Sequence, residues 1–317
     1  MLKIVSFTRI LNEDDIVEAF VRHHAAHVDE MLFLDYGSTD RTLDIITALR
    51  EEGFLLRVFQ SSAVDCDGIG ANFWGYQLAS QMMNADFILF LEPDEFIATP
   101  ESRPLSALLP NDSLALRLKR RRYGMVGDEN EAEPIVPWRL RWRLPDFVGL
   151  GSVMVRGKIP NLFVAPGATM VLLNGQALPT MEQDEITLAH YPYRAGWQSV
   201  QKYSLTRLRG LAAGALGAEI SASYARPFEQ LCDNPDELLQ EPVAYQDFLR
   251  SEAIEAPLTY LGGALSYTVA PPSQSHVISG LLHYAQHLAQ HYGKLQDELA
   301  EARKLVEHWN RTREPFL

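Results

Sequence analysis

The sequence predicts an α/β protein, with a mixed sheet flanked by helices and a helical C-terminal extension. Two observations carry this prediction. Over the first hundred residues, short apolar runs alternate with amphipathic segments, which is typical of helices layered on a sheet. After Gly196 the pattern becomes helical and leads to a long helix at the end of the chain.

The composition fits a compact enzyme and argues against several other classes of protein. The 317 residues are 47% hydrophobic, enough for one large domain or for two. No apolar run reaches the ~18 residues of a membrane span, and the start of the chain is charged too early for a signal peptide, so we expect a cytoplasmic protein. A net charge of −13 argues against nucleic acid as the main partner. Two distant cysteines, Cys66 and Cys232, indicate reduced thiols.

Four strands and three helices are predicted in the first hundred residues. The last of these strands is apolar throughout, as expected of a strand buried on both faces. Acidic residues open the first helix and Gly53 closes the second. The predicted strands span 2–7, 31–34, 55–59 and 87–91, and the predicted helices span 14–27, 39–50 and 72–83.

The middle of the chain differs from the beginning, because strand-like alternation is interrupted by prolines. Strands are predicted there at 114–118, 139–144 and 152–155. We therefore divide the chain into two halves of one α/β domain, 1–100 and 101–205, and a helical region at 206–317.

The last helix, from residue 275 onward, carries apolar or small residues alternately three and four positions apart. This spacing fits a coiled-coil seam, and it fits a helix packed on its own domain equally well. The residues of this stripe are Leu281, Ala285, Leu288, Tyr292, Leu295, Leu299, Ala302, Val306 and Trp309.

Polar residues gather after three of the predicted strands. Asn12 and Glu13 follow the first strand, residues 35–40 follow the second, and residues 92–95 follow the fourth. Ligands of open α/β sheets bind beyond the carboxyl ends of the strands, so these clusters are expected to meet. Their convergence predicts a binding site.

Three carboxylates, Glu92, Asp94 and Glu95, lie within four residues directly after the apolar strand. Their mutual repulsion favours a bound cation, and magnesium or manganese takes carboxylate, phosphate and water oxygens. The cluster therefore predicts a divalent-metal site beside a diphosphate. A solvated acidic turn is the alternative, although Pro93 stiffens the turn.

The second cluster is compatible with two roles. Asp35 stands where a carboxylate can accept a hydrogen bond from a nucleobase, and Gly37 lets the backbone turn tightly into the next helix. A purely structural turn is the alternative for Asp35. Ser38 or Thr39 is equally suited to capping that helix.

A second group of candidates follows the predicted strand at 185–189. His190 could complete the metal shell as a neutral imidazole, although a lone histidine is more often structural. Arg194 and Lys202 could neutralise the charge of a diphosphate.

Two other clusters of side chains are candidate sites. Arg139, Arg141 and Arg143 would share one face of the predicted strand at 139–144, where they either hold an anionic acceptor or cover an acidic surface. His23 and His27 share a helix face, and we expect that face to be ordinary and partly exposed rather than a metal site.

Taken together, these motifs resemble the bacterial family 2-like glycosyltransferases of the GT-A fold, a Rossmann-like mixed sheet. The resemblance covers residues 1–205 and rests on the order and spacing of the motifs. They are Asn12-Glu13, Val28-Asp29-Glu30, Leu34-Asp35-Tyr36-Gly37-Ser38-Thr39-Asp40-Arg41-Thr42, Leu91-Glu92-Pro93-Asp94-Glu95-Phe96, and His190-Tyr191 with Arg194 and Lys202.

The resemblance implies a glycosyltransferase that moves a sugar from a nucleotide-sugar to a glycan or lipid-linked acceptor, in cell-surface polysaccharide or lipopolysaccharide synthesis, with manganese or magnesium. Residues 1–100 would bind the donor and residues 101–205 the acceptor. The family's nucleobase-binding and Asp-X-Asp positions fall on Asp35, Glu92 and Asp94. Glu92 and Tyr36 depart from the family, which usually has aspartate and a small polar residue or asparagine there, and Glu92 leaves the strength of metal dependence open.

The expected site therefore contains two sets of residues. The metal would be held by Glu92, Asp94 and His190. The donor would be held by Asn12, Glu13, Asp35, Gly37, Ser38, Glu92, Arg194 and Lys202.

Inversion at the anomeric carbon needs a carboxylate base facing the acceptor hydroxyl. The resemblance implies a base downstream of the metal motif, and we name Asp184 and Glu185, with Asp146 and Glu129 as competitors.

Two other functions are compatible with the sequence. One is a catalytically silent nucleotide-binding or scaffold protein that forms a homo-oligomer through its C-terminal helix. The other is a nucleotidyltransferase, which is disfavoured because no glycine-rich basic loop follows the first strand. Peripheral docking at the inner face of a membrane is a further possibility, although the helix lacks a strongly basic face.

Overall fold

The computed structural model describes residues 2–64, 68–110, 113–127, 129–149, 151–168, 170–214, 218–219, 221–234 and 252–312. Cys232 is a free, exposed thiol, whereas Cys66 lies outside the described residues.

The described residues contain strands of two kinds: long central strands and short edge strands. They are β1 (Ile4–Ile10), β2 (Glu30–Asp35), β3 (Leu56–Gln60), β4 (Phe87–Leu91), β5 (Glu95–Ala98), β6 (Ala115–Gly124), β7 (Trp142–Arg143), β8 (Val153–Arg156), β9 (Leu162–Val164), β10 (Val171–Leu173), β11 (Gln176–Ala177), β12 (Met181–His190) and β13 (Ile254–Glu255).

The helices differ widely in length, from a single turn to a rod of 39 residues. They are α1 (Val17–His24), α2 (Thr42–Glu51), α3 (Gly68–Gln77, continued by a π-helical turn at Leu78–Met82), α4 (Val136–Arg139), α5 (Gly196–Ala212), α6 (Ala225–Asp233) and α7 (Gln274–Thr312).

The larger sheet confirms the predicted α/β class. Strands β3, β2, β1 and β4 are adjacent and parallel, with helices in the connections, and β8 continues the sheet in the antiparallel direction. Strand β12 pairs in parallel with β6 and antiparallel with β5, so the second half of the domain completes a mixed sheet. A separate three-stranded sheet is formed by β9, β10 and β11.

The core lies on both faces of this sheet, which explains the uninterrupted apolar run of β4. Phe87, Leu89 and Leu91 pack into one buried cluster with α1 and α2. Ile88 and Phe90 point the other way, into a second cluster that includes Tyr76 of α3. Because β4 is buried on both faces, its position is fixed by packing, and so is the point at which residues 92–95 leave the core.

One predicted strand was wrong. Residues 139–144 do not form a continuous strand, because Arg139 ends the helical turn α4 and only Trp142 and Arg143 pair as β7. The buried Arg139 guanidinium donates to the carbonyls of Glu133 and Arg194. These hydrogen bonds hold Arg139 in the helical turn. The alternation of polar and apolar residues in the sequence, which predicted the strand, carries no sign of them.

The prediction of a partly exposed histidine face on α1 was also wrong. His23, His24 and His27 are all buried. The Ile97 N–H donates to His24 (3.2 Å), and a His23 ring nitrogen lies 2.7 Å from the Ile97 carbonyl oxygen. The two histidines therefore join α1 to β5 inside the core.

The region after residue 205 is not helical throughout. Ile254 and Glu255 form an edge strand on β7, and Leu258 and Tyr260 enter the main core. Farther along, the buried carboxylate of Glu18 accepts the backbone N–H groups of residues 266–268 at 2.7 Å each. This segment thus returns to α1 before α7 begins. Among the described residues, no helix combines the length and the apolar character needed to cross a bilayer.

Candidate active site

The loops after β1 and β2 interlock, as their predicted convergence required. Asn12 has a positive φ of 55°, and its backbone N–H donates to Ser38 Oγ (2.9 Å) while its side-chain oxygen accepts the Thr39 N–H (2.8 Å). The Glu13 N–H donates to Thr42 Oγ1 (2.8 Å). The two clusters therefore form one rigid rim at the carboxyl edge of the sheet.

Within this rim, Asp35 organises its own turn. The buried carboxylate accepts the N–H groups of Gly37 and Ser38 (both 3.1 Å) and the Ser38 hydroxyl (2.6 Å). Gly37 has φ +88°, a conformation that favours glycine. Neither Ser38 nor Thr39 caps α2, because the helix begins at Thr42 after Arg41, without a side-chain cap.

The three carboxylates after β4 each have a different cationic partner, which offsets part of the repulsion expected from their spacing. Glu92, with 37% of its side chain exposed, pairs with Arg9 at 2.9 Å. Asp94 pairs with Lys202. Glu95 is buried, and burial raises its pKa to about 7 although Arg120 lies 3.3 Å away.

Asp94 is almost as enclosed as its neighbour Glu95, which is 0% exposed. Asp94 is 1% exposed, and the Tyr191 N–H donates to its carbonyl oxygen (2.8 Å), which fixes β12 beside it. Burial alone would raise the pKa of Asp94, but the charges of Lys202 and Arg194 hold that pKa well below its usual value. The carboxylate is therefore ionised inside the protein.

His190, the last residue of β12, lies beside Asp94. Its Nε2 lies 3.5 Å from Asp94 Oδ1, too far and too poorly aligned for a hydrogen bond. Burial lowers the pKa of His190 to about 3, against the opposing charge of Asp94, so the imidazole is neutral at physiological pH. A neutral ring can act as a metal ligand.

These two residues fit a divalent cation. Asp94 Oδ1 is buried without a hydrogen-bond partner in the described structure, and it lies 3.5 Å from His190 Nε2. Buried polar atoms are rarely left unsatisfied unless another group completes them. No set of three His, Cys, Asp or Glu side chains among the described residues is arranged to hold a metal, so further ligands would come from phosphate oxygens and water.

Arg194 and Glu13 lie within the same region, but they are engaged with each other. The fully buried Arg194 guanidinium bonds both oxygens of Asp15 (2.8 Å each) and Glu13 Oε2 (2.6 Å). The two carboxylates keep Arg194 charged, since its pKa is raised above its usual value. Burial raises the pKa of Glu13 to about 7. This network joins the loop after β1 to the end of β12, and it leaves Lys202 as the nearer cation to Asp94.

The structure does not bring the predicted bases to this site. Asp184 and Glu185 lie in the middle of β12, whereas His190 ends it, and five or six residues of extended strand span roughly 16–20 Å. Asp184 is 80% exposed and pairs with Lys119 at 2.5 Å. Of the competitors, Asp146 is exposed, and Glu129 accepts backbone N–H groups of its own turn.

The predicted arginine face is dispersed. Arg139 is buried, and Arg141 pairs with Glu255 at 2.9 Å. Arg143 lines a cavity of about 260 Å³ together with Arg121 and His27. None of the acidic residues at 92–95 lines this cavity, so it is separate from the candidate site.

A smaller cavity of about 140 Å³ adjoins the rim. Its walls come from the loops after β1 and β2 on one side and from α5 and α7 on the other. The Arg209 guanidinium lies over the rings of Tyr36 and Tyr284, 5.1 and 5.6 Å from the ring centres. The lining residues are Leu11, Asn12, Tyr36, Gly37, Thr39, Leu205, Arg209, Gly280, His283, Tyr284 and His287.

Several residues of the site were not predicted from the sequence. Arg9, Asp15 and Arg120 each pair with a charged group of the site, from separate elements. Arg9 and Asp15 are charged residues close to the end of the first strand, which is a local signal. Arg120 lies in a basic run, where nothing distinguishes it from its neighbours.

No protein-family model matches the chain, and no curated protein matches its sequence. The chain is similar in structure to a mannosyltransferase, PcManGT from Pyrobaculum calidifontis, in complex with GDP-Man and Mn²⁺, with a TM-score of 0.39 and 11% identity over 78% of each chain. It is also similar to glucosyl-3-phosphoglycerate synthase from Mycobacterium tuberculosis in complex with Mn²⁺, UDP and phosphoglyceric acid, with a TM-score of 0.34 and 18% identity over 66% of this chain and 78% of that one.

Proposed function

We propose that the protein is a glycosyltransferase that uses a nucleotide-sugar donor and a divalent metal, manganese or magnesium. One observation carries the proposal. Asp94 is an ionised, buried carboxylate with an unsatisfied oxygen 3.5 Å from a neutral histidine, at the carboxyl edge of a parallel sheet. Such an edge is where open α/β sheets bind their ligands.

Asp94 and His190 would hold the metal, which when bound would neutralise charge on the leaving diphosphate. Lys202 is positioned to help neutralise the diphosphate, because its ammonium group already contacts Asp94 Oδ2. Arg194 fixes Glu13 and Asp15 in place and thereby keeps the rim rigid. Glu92 pairs with Arg9 and remains half exposed, where it can contact a ribose hydroxyl or a metal-bound water.

The nucleobase would occupy the cavity between the rim and α7. The cavity lies directly beside Gly37 and Asn12, and part of its wall is formed by the Arg209 guanidinium packed against the rings of Tyr36 and Tyr284. Asp35 would then shape this site by holding the turn that contains Gly37 and Ser38. The base and Asp94 would lie at the same edge of the sheet, after β2 and β4, on either side of β1.

The acceptor and the outcome at the anomeric carbon rest on the family resemblance. We propose a glycan or lipid-linked acceptor in cell-surface polysaccharide or lipopolysaccharide synthesis, inversion, and a cytoplasmic enzyme at the inner face of the membrane. The exposed positions of Asp184 and Glu185 argue against either as the base.

The test is a panel of UDP- and GDP-sugars incubated with the protein, with nucleoside diphosphate release measured with and without MnCl₂. The proposal expects release from at least one donor that depends on the metal and is abolished by a chelator. Absence of release from every donor, together with absence of nucleotide binding in calorimetry, would overturn it.

A catalytically silent nucleotide-binding scaffold is the second candidate. Its support is that Arg9, Lys202 and Arg120 already pair with the three carboxylates at 92–95 without a metal. Under this hypothesis a nucleotide binds with an affinity that manganese does not change, and no donor is hydrolysed. Metal-dependent turnover in the same panel excludes it.

A further inference from the structure

The two parts of α7 have different surroundings. At its start, Val277 is buried against Val200 and Tyr203 of α5. Two turns later, the buried Tyr284 hydroxyl donates to the Val64 carbonyl (2.9 Å). The helix is therefore anchored to the domain over its first three turns.

Beyond residue 287 the apolar stripe of α7 is exposed. Leu288, Tyr292, Leu295, Leu299 and Val306 are between 37% and 63% exposed. Leucine and valine side chains on a helix are stabilised by burial, and large contiguous apolar patches on a protein surface commonly mark an interface. The sequence is compatible with a coiled-coil seam and with a helix packed on its own domain. Packing on the domain is observed at the start of α7 but not beyond residue 287.

The stripe has the spacing of a two-stranded coiled coil. With Ala285, Tyr292, Leu299 and Val306 at the first position of each heptad, Leu288, Leu295 and Ala302 fall on the fourth. The segment 288–306 has 19 residues, so its length is roughly 28 Å at 1.5 Å per residue.

The charges beside the stripe identify the partner. In a parallel, in-register pair, the seventh position of one helix faces the fifth position of the next heptad in the other helix. Glu298 and Arg303 occupy these positions, so each helix would offer one acid and one base to the other. Such self-complementarity favours a second copy of the same chain. The outer face carries Asp297 and Glu301 as well as Lys294 and Lys304, and so lacks the basic surface that favours a membrane.

We propose that residues 288–306 of α7 bind the same segment of a second copy as a parallel, in-register coiled coil. The two catalytic domains then lie at the same end of the pair. The first turns of α7 line the small cavity beside Gly37, so the helix that joins the two copies is also a wall of that cavity.

The first experiment measures the mass of the full chain in solution by light scattering and by sedimentation at micromolar concentrations. The wild-type chain is expected to be a dimer, and the double variant Leu295→Asp/Leu299→Asp a monomer with an unchanged far-ultraviolet spectrum. Leu282→Asp is the matched control, because Leu282 is 66% exposed but precedes the segment, and this variant should remain dimeric. A monomeric wild-type chain, or a double variant that stays dimeric, would overturn the proposal.

The second experiment tests the parallel register by exchanging charges. Glu298→Arg and Arg303→Glu should each weaken the dimer by about 10-fold, because each places like charges opposite one another, and the combined variant should return to within about 3-fold of the wild type. Glu301→Arg and Lys304→Glu, reversals on the outer face, should leave the dimer dissociation constant unchanged. Failure of the combined variant to recover would contradict the parallel arrangement.

Discussion

Asp94 is held charged in a place where burial alone would neutralise it. The cations around it, Lys202 and Arg194, lower its pKa and so offset the cost of burying the charge. Perturbed titratable groups of this kind cluster at functional sites, although structural ion pairs produce them as well. The unsatisfied Oδ1 distinguishes Asp94 from the saturated pair of Arg194 and Asp15.

Lys202 should compete with the metal for Asp94. In Lys202→Met the carboxylate loses its nearest cation, so manganese binding without nucleotide should tighten by about 10-fold, whereas kcat/KM should fall by at least about 10-fold because a charge near the diphosphate is gone. Manganese binding is measured by electron paramagnetic resonance. Lys294→Met, on the exposed part of α7, is the control, and an unchanged manganese affinity in Lys202→Met would show that no metal binds at Asp94.

At the scale of single residues, the sequence predicted which positions gather but not their partners. Asp35, Asp94 and His190 were found because each lies at the end of an apolar strand. The bonds of Arg194 to Glu13 and Asp15 join residues about 180 positions apart, and no local pattern carries that information. The spacing of Glu92, Asp94 and Glu95 predicts a nearby positive charge. In the structure, Arg9 of β1, Lys202 of α5 and Arg120 of β6 provide it.

At the scale of elements, α1 depends on neutral histidines. The Leu261 N–H donates to His23 Nδ1 (3.2 Å), so the other ring nitrogen carries the proton that is donated to Ile97. Burial lowers the pKa values of His23 and His27 to about 4. Protonation of either ring would place a charge within the core.

His27 therefore predicts a pH dependence of stability. Its folded pKa of about 4 lies below the ordinary 6.5, so between these values the unfolded chain binds a proton that the folded chain excludes, and the free energy of unfolding falls as pH falls. The free energy of unfolding of the wild type, measured relative to that of His27→Gln, should therefore fall by about 2 kcal/mol between pH 7 and pH 5. This value follows from the difference between the folded and unfolded pKa values.

Urea denaturation of both proteins at the two pH values measures this difference. His291→Gln is the matched control, since His291 is partly exposed on α7, and the stability of this variant should follow that of the wild type at both pH values. A constant difference between the wild type and His27→Gln would contradict the assigned burial.

The elements themselves were predicted unevenly, and the reason is physical. Strand β4 was predicted with its exact ends, because a strand buried on both faces must be apolar throughout. Helix α1 begins three residues later than predicted, because the carbonyl oxygen of Glu13 accepts the N–H groups of Ile16 and Val17 in a turn that precedes the helix. Strand β7 is only two residues long, because α4 and the buried Arg139 take up the residues before it.

At the scale of the whole molecule, the parallel strands fix where the loops meet, and residues 254–312 add further contacts to the domain. The chain returns along α1, where Glu18 holds residues 266–268, and then passes over the site as α7. The helical pattern predicted α7 but not the return. That segment has little periodicity. Its place is set by contacts distant in sequence: the pairing of β13 with β7, the burial of Leu258 and Tyr260, and the backbone hydrogen bonds to the buried Glu18 carboxylate.

We propose that Asp94 holds the metal of a glycosyltransferase. The decisive measurement is the metal-dependent release of nucleoside diphosphate from the preferred donor, compared among the wild type, Asp94→Asn and Asp184→Asn. Asp184→Asn should retain the wild-type rate, and Asp94→Asn should be slower by at least about 100-fold while keeping a cooperative thermal transition. A folded Asp94→Asn variant with the wild-type, manganese-dependent rate would contradict the account.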